Sequence, residues 1–242
     1  MSRSNHGIRR RNVREALSAL RVLLRDPNDT AQGFRLLEAL DPHLHHRELM
    51  RMQSEPSGRS LLRERPVLLD ALRELAKLDV DALPQGSLGL AYRRYCEREG
   101  LDPDSFVAVG RAGSQADALE DELVRYAAFR HRDSHDLWHV VCGYRTDMAG
   151  EAGVLGFTLA QTRSPGLVLL FIGALLQSLL IGRRHGATMR RLAFRGLRSG
   201  VRARALSAAP WEAWLTRSLA EVRAELGIVD IPDYEPAYAR PR

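Results

Sequence analysis

The run RHRDSHDLWHVVCGYRTDMAGE, Arg130 to Glu151, concentrates four potential metal ligands around one glycine. His135 and His139 are four residues apart. On an α-helix that spacing puts both imidazoles on one face about 6 Å apart, as two ligands of one divalent ion require. Zinc helices of the His-Glu-x-x-His type use this geometry, and Asp136 stands where those have Glu. The shorter carboxylate reaches less far, so Asp136 either ligates the ion or orients His139 from behind it, rather than acting as a protease-type base. Glu151 lies twelve residues past His139. In one unbroken helix it would sit about 18 Å away and could not share the ion. Gly143 can end a first helix, and Thr146 or Asp147 can cap a second whose first turn holds Glu151. The stretch therefore reads as a helix-loop-helix that returns Glu151 to the histidines. Two imidazoles with one or two carboxylates suit Zn²⁺, Fe²⁺ or Mn²⁺, and spacing alone does not choose among them. The competing reading is a chance pair, with a buried histidine satisfied by Asp136. Cys142 reads as core, His131 and His185 carry little signal, and His43, His45 and His46 read as surface.

On either side the apolar pattern is helical. Val13, Leu17, Leu20 and Leu24 form one stripe that ends near the Asp26-Pro27 break. Asp29 or Thr30 can cap a helix through Leu40, Pro66 opens another over Val67 to Lys77, and Ser87 caps a third through Glu99 before Gly100. Gln115 to Arg130 reads as one helix, with Leu119, Leu123, Tyr126 and Ala127 on one side. No sustained alternation of period two and no internal repeat occurs, so the fold class is all-α. At 242 residues and 45% hydrophobic, the chain suits one multi-helix domain over 1–242, with 1–12 as a flexible start and 230–242 as a tail. That apolar fraction excludes disorder, and two cysteines exclude a disulfide scaffold.

Basic charge is carried by thirty-five arginines and one lysine, a skew that reflects a GC-rich genome. From Ala152 to Trp211 there is no Asp or Glu and there are nine arginines, so this span is +9 within a chain of net +6. Such asymmetry attracts phosphates, anionic lipids or carboxylates. The segment GLVLLFIGALLQSLLIG, Gly166 to Gly182, falls short of a membrane span. It reads as a core helix, as a slot for an apolar ligand tail, or as a segment dipping into a bilayer interface. Arg191, Arg195, Arg198 and Arg202 then line one helical face, which binds anions or faces acidic residues elsewhere in the fold. Nucleic acid is not an expected partner, since no stacking aromatics accompany the arginines. The opening MSRSNHGIRRRNVREAL has no apolar run of secretory type and only loosely mimics a transit peptide, so a reducing cytoplasm is expected.

His135-Asp136-x-x-His139 followed after eleven residues by Glu151 resembles the signature of the coenzyme Q (ubiquinone) biosynthesis protein 4 family. LPQGSLGLAYRRYCEREGLDPDSF at Leu83 to Phe106 and PWEAWLTRSLAEVRAELGI at Pro210 to Ile228 are similar to it too, and the likeness covers roughly residues 15 to 230. Lacking a mitochondrial presequence, the chain resembles a bacterial member. The resemblance implies an all-helical protein that binds a divalent metal, zinc first with iron or manganese as alternatives, through His135, Asp136, His139 and Glu151. It implies peripheral contact with the anionic inner face of the cell membrane, or the matrix side of the mitochondrial inner membrane in a eukaryote. Its partners would be a polyprenylated benzoate or quinone intermediate, other ubiquinone biosynthesis proteins and a further copy of itself. Two functions follow: metal-dependent, oxidative decarboxylation at C1 of a polyprenylated hydroxybenzoate, as a lyase, or a non-catalytic lipid-binding scaffold for the other enzymes. A metal-dependent hydrolase comes third, since no second His or Asp cluster completes a phosphohydrolase ligand set.

Overall fold

Caps and left-handed glycines divide the chain into helices at the points where backbone groups need outside partners. The computed structural model describes residues 11–23, 25, 29–102, 104 and 114–235. Leu24, the Asp26-Pro27 break, Pro103, Ser105, Phe106 and the expected termini at 1–10 and 236–242 lie outside the described residues. Among the described residues there are thirteen α-helices and no strand. They are α1 (Val13–Leu23), α2 (Thr30–Leu40), α3 (Leu44–Ser54), α4 (Pro56–Glu64), α5 (Leu68–Lys77), α6 (Leu88–Glu99), α7 (Glu122–Asp133), α8 (His135–Cys142), α9 (Met148–Thr162), α10 (Pro165–Leu180), α11 (Arg183–Arg202), α12 (Trp211–Trp214) and α13 (Leu219–Leu226). The all-α class is thereby established as a single multi-helix domain.

The expected caps act as caps. The Asp29 side chain accepts from Gln32 N at 3.1 Å, and Ser87 accepts from Leu90 N at 3.1 Å. Gly100 closes α6 at φ 68°. Other elements differ from their reading. The Gln115–Arg130 helix is broken, because the Asp121 carboxylate takes the amide protons of Leu123 and Val124 and starts α7 there. Only a short 3₁₀ turn at Ala116–Ala118 precedes it. Helix α5 begins at Leu68, two residues after Pro66. Helices α3 and α4 fill a stretch whose sparse apolar residues show little periodicity. Leu49, Met52, Leu61 and Leu62 meet Val124 and Ala127 of α7 in a satellite core. In α1 the buried face is Ala16 and Ala19 against α2, while Val13 and Leu17 of the expected stripe are exposed. Small residues let two helices approach closely, so the larger ones are left outside. The expected tail is also shorter: Ile231 and Tyr234 pack on the main core.

The closest helix pair is α9 against α11. A methyl group on Gly156 would meet the Ala193 carbonyl oxygen at 2.1 Å, and one on Gly196 would meet the Gly153 oxygen at 1.9 Å. Gly200 faces Phe157 in the same register, so the two helices run parallel. Helix α10 joins them, and the α10–α11 turn therefore lies at the end where α9 begins. Contacts agree: Arg184 pairs with Glu235, and the neighbouring Tyr234 hydroxyl donates to Asp147, the N-cap of α9. No helix among the described residues is long and apolar enough to cross a membrane.

Gly196→Ala should destabilise the fold. Its gain in helix propensity, about 1 kcal/mol, offsets only part of an overpacking cost of about 3 kcal/mol. Gly173→Ala, with open space around it, should be neutral or stabilising. Equal urea midpoints for the two variants would refute the close crossing.

Candidate metal centre

Helix α8 is short, and its rotation about its own axis decides where both histidines point. Ser134, fully buried between α7 and α8, accepts a hydrogen bond from Trp138 Nε1 at 3.0 Å. The same indole meets the His131 ring edge at 4.9 Å and Phe157 at 6.1 Å. With Trp138 held inward on three sides, His135 and His139 share another face, their ring centroids 4.9 Å apart. Arg223 of α13 donates to the carbonyls of Val140 and Val141 at 3.0 and 2.9 Å. Those are orphan acceptors of the last turn of α8, where a cation also complements the helix dipole.

The chain then reverses. Gly143 takes φ 74°, a left-handed conformation that favours glycine, and a methyl there would also strike Ile231 at 2.5 Å. Asp147, not Thr146, caps α9, accepting from Ala149 N at 3.0 Å and Gly150 N at 3.4 Å. Its second oxygen accepts from Tyr234 at 2.9 Å, and the Tyr234 oxygen accepts from Arg145 N at 2.9 Å. Thr146 instead donates to Glu99 at the end of α6, and those contacts hold the Glu99 carboxyl below its usual range despite burial that raises it. The loop is thus held from both sides, and Glu151 returns in the first turn of α9.

Glu151 Oε2 lies 3.7 Å from His139 Nε2. One donor atom each from His135, His139 and Glu151 lies within 4.8 Å of the others. His139 is fully buried, whereas the side chains of His135 and Glu151 are 26% and 37% exposed, so the group opens to solvent on one side. Asp136 is not in this group of atoms. Its Oδ1 lies 3.3 Å from His135 Nδ1, so it accompanies His135 rather than His139. A carboxylate on the second ring nitrogen is the usual way a ligating imidazole is oriented.

The residues fit a divalent ion. Nitrogen and carboxylate donors bind zinc at about 2.0–2.2 Å, so donors up to about 4.4 Å apart span it, and a small swing of the half-exposed Glu151 carboxylate closes the remainder. Three protein ligands with an open side match catalytic rather than structural sites. Cys142 is core, as expected, and burial pushes its thiol up. His45, expected at the surface, is partly buried and lies 3.4 Å from Glu38.

The sequence reading missed Tyr95. It sits on α6, 3% exposed, its ring 5.8 Å from that of His139. Burial, then the charges of Asp136 and Glu151, push its phenol well up. Tyr92, Tyr95 and Cys96, at i, i+3 and i+4, are the signal that α6 turns a semi-polar face inward. Arg195 of the arginine stripe pairs with Asp230, while Arg191, Arg198 and Arg202 are exposed.

The family model described as "Coenzyme Q (ubiquinone) biosynthesis protein Coq4" matches residues 24–232. The chain is 33% identical over 192 residues to the mitochondrial ubiquinone biosynthesis protein coq4 of Talaromyces stipitatus, covering 79% of this chain and 63% of that protein. It is 33% identical over 183 residues to the Danio rerio homologue, covering 75% and 63%. The chain thus spans less than two thirds of the length of these relatives. A crystal structure of a Nostoc punctiforme protein named for ubiquinone biosynthesis superposes with TM-score 0.65 at 25% identity, covering 91% of this chain and all of that one.

Metal titration with a competing chelator should give one divalent ion per chain, and His139→Ala or Glu151→Ala should each lose it. Asp147→Ala, which removes the cap and the Tyr234 bond but no ligand atom, should weaken binding roughly fivefold through about 1 kcal/mol of lost cap stability. Unchanged affinity in all three variants would falsify the centre.

Proposed function

The chain belongs to the Coq4 family of coenzyme Q (ubiquinone) biosynthesis proteins, and from that premise we propose that it removes the C1 carboxylate of a polyprenylated hydroxybenzoate at the centre built from His135, His139 and Glu151. The observation that carries this reading is the convergence of two imidazoles and one carboxylate across a chain reversal, open on one side. Asp136 orients His135 or adds a fourth ligand. Bound there, a divalent ion supplies a Lewis acid that pairs with the carboxylate or phenolate of the substrate and offsets charge building on the ring. Zinc suits the nitrogen and oxygen donors but does no redox chemistry; iron or manganese also suits them and would take part in the oxidative form. In the reaction the bond from C1 to the carboxyl carbon breaks, CO₂ leaves, and the electron pair stays on the ring. A proton then takes its place; in the oxidative form one atom of dioxygen becomes the ring hydroxyl instead, and the other leaves as water with two protons and two electrons from an external hydride donor.

The chain's own residues have separate tasks. His139, fully buried on the face of α8 turned to Tyr95 of α6, closes the inner side to water, and the exposed edges of His135 and Glu151 leave the outer side for the ring. The apolar tail belongs to a second surface along α10, whose C-terminal part lies at the same end of the molecule. Val168, Ile172, Leu176, Leu179 and Leu180 form an exposed stripe on α10, with Leu180 88% exposed. Arg183 and Arg184 follow directly, and no acidic residue lies between Ala152 and Trp211. An exposed apolar stripe beside arginines suits the headgroup region of an anionic bilayer, where a polyprenyl chain already resides. This supports peripheral attachment at the inner face of the membrane, with the head group lifted to the centre and other pathway proteins nearby.

Mass spectrometry of quinone intermediates tests the reaction. A strain lacking the protein should accumulate one carboxylated polyprenyl-phenol that wild type clears and Glu151→Ala does not. Full quinone synthesis by a variant without its metal would overturn catalysis and favour the scaffold. Separately, Leu176→Glu with Leu180→Glu should abolish flotation with phosphatidylglycerol vesicles while metal content stays unchanged; retained flotation would refute the membrane face.

A further inference from the structure

We infer that the outer face of α11 is a lipid-selecting rim: Arg191, Arg198 and Arg202 take the phosphate groups of anionic phospholipids, while Phe194 and Val201 beside them enter the headgroup layer. This rests on the reading of α10 as a membrane face, and adds which lipids are chosen and which helix chooses them.

The first observation is the order of side chains around α11. Arg190 donates to the carbonyl and the hydroxyl of Ser178 at 3.1 and 3.2 Å, and Phe171 meets the Phe194 ring edge-on at 5.6 Å. Helix α10 therefore lies against the side of α11 that carries Arg190 and Phe194. At about 100° per residue, Val201 falls close to the line of Phe194. Arg191, Arg198 and Arg202 follow about 40–80° further round, away from α10, and Arg195 follows at about 100°. Phe194 is 52% and Val201 72% exposed, so the apolar stripe of α10 continues onto α11 and ends in a row of guanidinium groups.

The second observation is charge left without a counter-charge. Like charges four apart on a helix repel, as Arg191 and Arg195 do, and Arg198 and Arg202. Asp230 relieves Arg195, and Glu235 takes Arg184. Arg191, Arg198 and Arg202 are exposed and form no ion pair among the described residues. No Asp or Glu from Ala152 to Trp211 is there to supply one locally. Arginines alone would suit an acidic protein equally well. Large apolar side chains standing out on both helices, with the arginines along one edge, fit a bilayer better, because its surface offers hydrocarbon and phosphate at fixed depths. An arginine stem lies along apolar surface while its planar head binds phosphate through two hydrogen bonds. The two helices then lie flat on the membrane, and each arginine near an anionic surface strengthens attachment about fivefold.

The test is flotation of the full-length protein with vesicles of phosphatidylcholine alone and of phosphatidylcholine mixed with phosphatidylglycerol. Wild type should bind the anionic vesicles and lose most of that binding at high salt. Arg191→Gln with Arg198→Gln should weaken partition onto anionic vesicles roughly thirtyfold. Metal content of this variant should stay unchanged, and its urea midpoint should be unchanged or higher because repulsion along the helix is relieved. Arg63→Gln with Arg94→Gln removes the same charge from exposed positions on α4 and α6 and should change partition less than about twofold. Equal losses in the two double variants would make the effect one of net charge and overturn the inference, as would unchanged partition of the first. Wild type that binds neutral and anionic vesicles equally overturns the rim and leaves the apolar face of α10 standing. Wild type that binds neither removes both and leaves an acidic protein as the partner of the arginines.

Discussion

The reversal between Gly143 and Asp147 is the constraint on which the rest depends. Two histidines four apart are common on helices and mean little alone. What changes their meaning is a left-handed glycine followed by a capped helix start, which turns a separation of twelve residues into 3.7 Å between His139 and Glu151. Each feature of the turn has a partner elsewhere: Ile231 fills the space beside Gly143, Tyr234 holds Asp147, and Glu99 holds Thr146. The loop is short, but two remote parts of the chain, the end of α6 and the segment after α13, agree on its shape.

Behind the turn, rigidity comes from two sources of different kind. Polar anchoring fixes α8, through the Ser134–Trp138 bond and the Arg223 cap. Steric closeness fixes α9, through glycines that bring its backbone against α11. A buried Arg130, bonded to both oxygens of Glu212 and to the Ala209 carbonyl, ties α7 to the segment that follows α11. The first kind is directional and sets rotation; the second is isotropic and sets distance. A ligand set drawn from two helices needs both.

Local signals were legible and long-range ones were not. His135, His139, Gly143, Asp147 and Glu151 announce themselves because cap, turn and helix period act within a few residues of chain. The break at Asp121 was hidden, since its apolar periodicity continues across a residue whose capping competes with it. Helices α3 and α4 were hidden because their partners on α7 lie more than sixty residues away along the chain. Asp136 was read as ligand or as support for His139; its observed neighbour is His135, a difference of rotamer that spacing does not encode. Tyr95 and Tyr234 reach the site only through packing of α6 and of the segment after α13. The apolar run at Gly166 to Gly182 turned out two-faced, buried at Leu167 and Phe171 and open at Leu176 and Leu180.

The bond from Tyr234 to Asp147 also sets an order of events. During synthesis the two histidines emerge first, and the carboxylate that completes their set follows twelve residues later. The clamp on the turn between them comes more than eighty residues later. A nascent chain therefore carries an imidazole pair whose third arm is still loose, and a tight cage forms only once the distal segment has docked. A measurement of divalent-ion binding would in this sense also read whether the chain has finished folding.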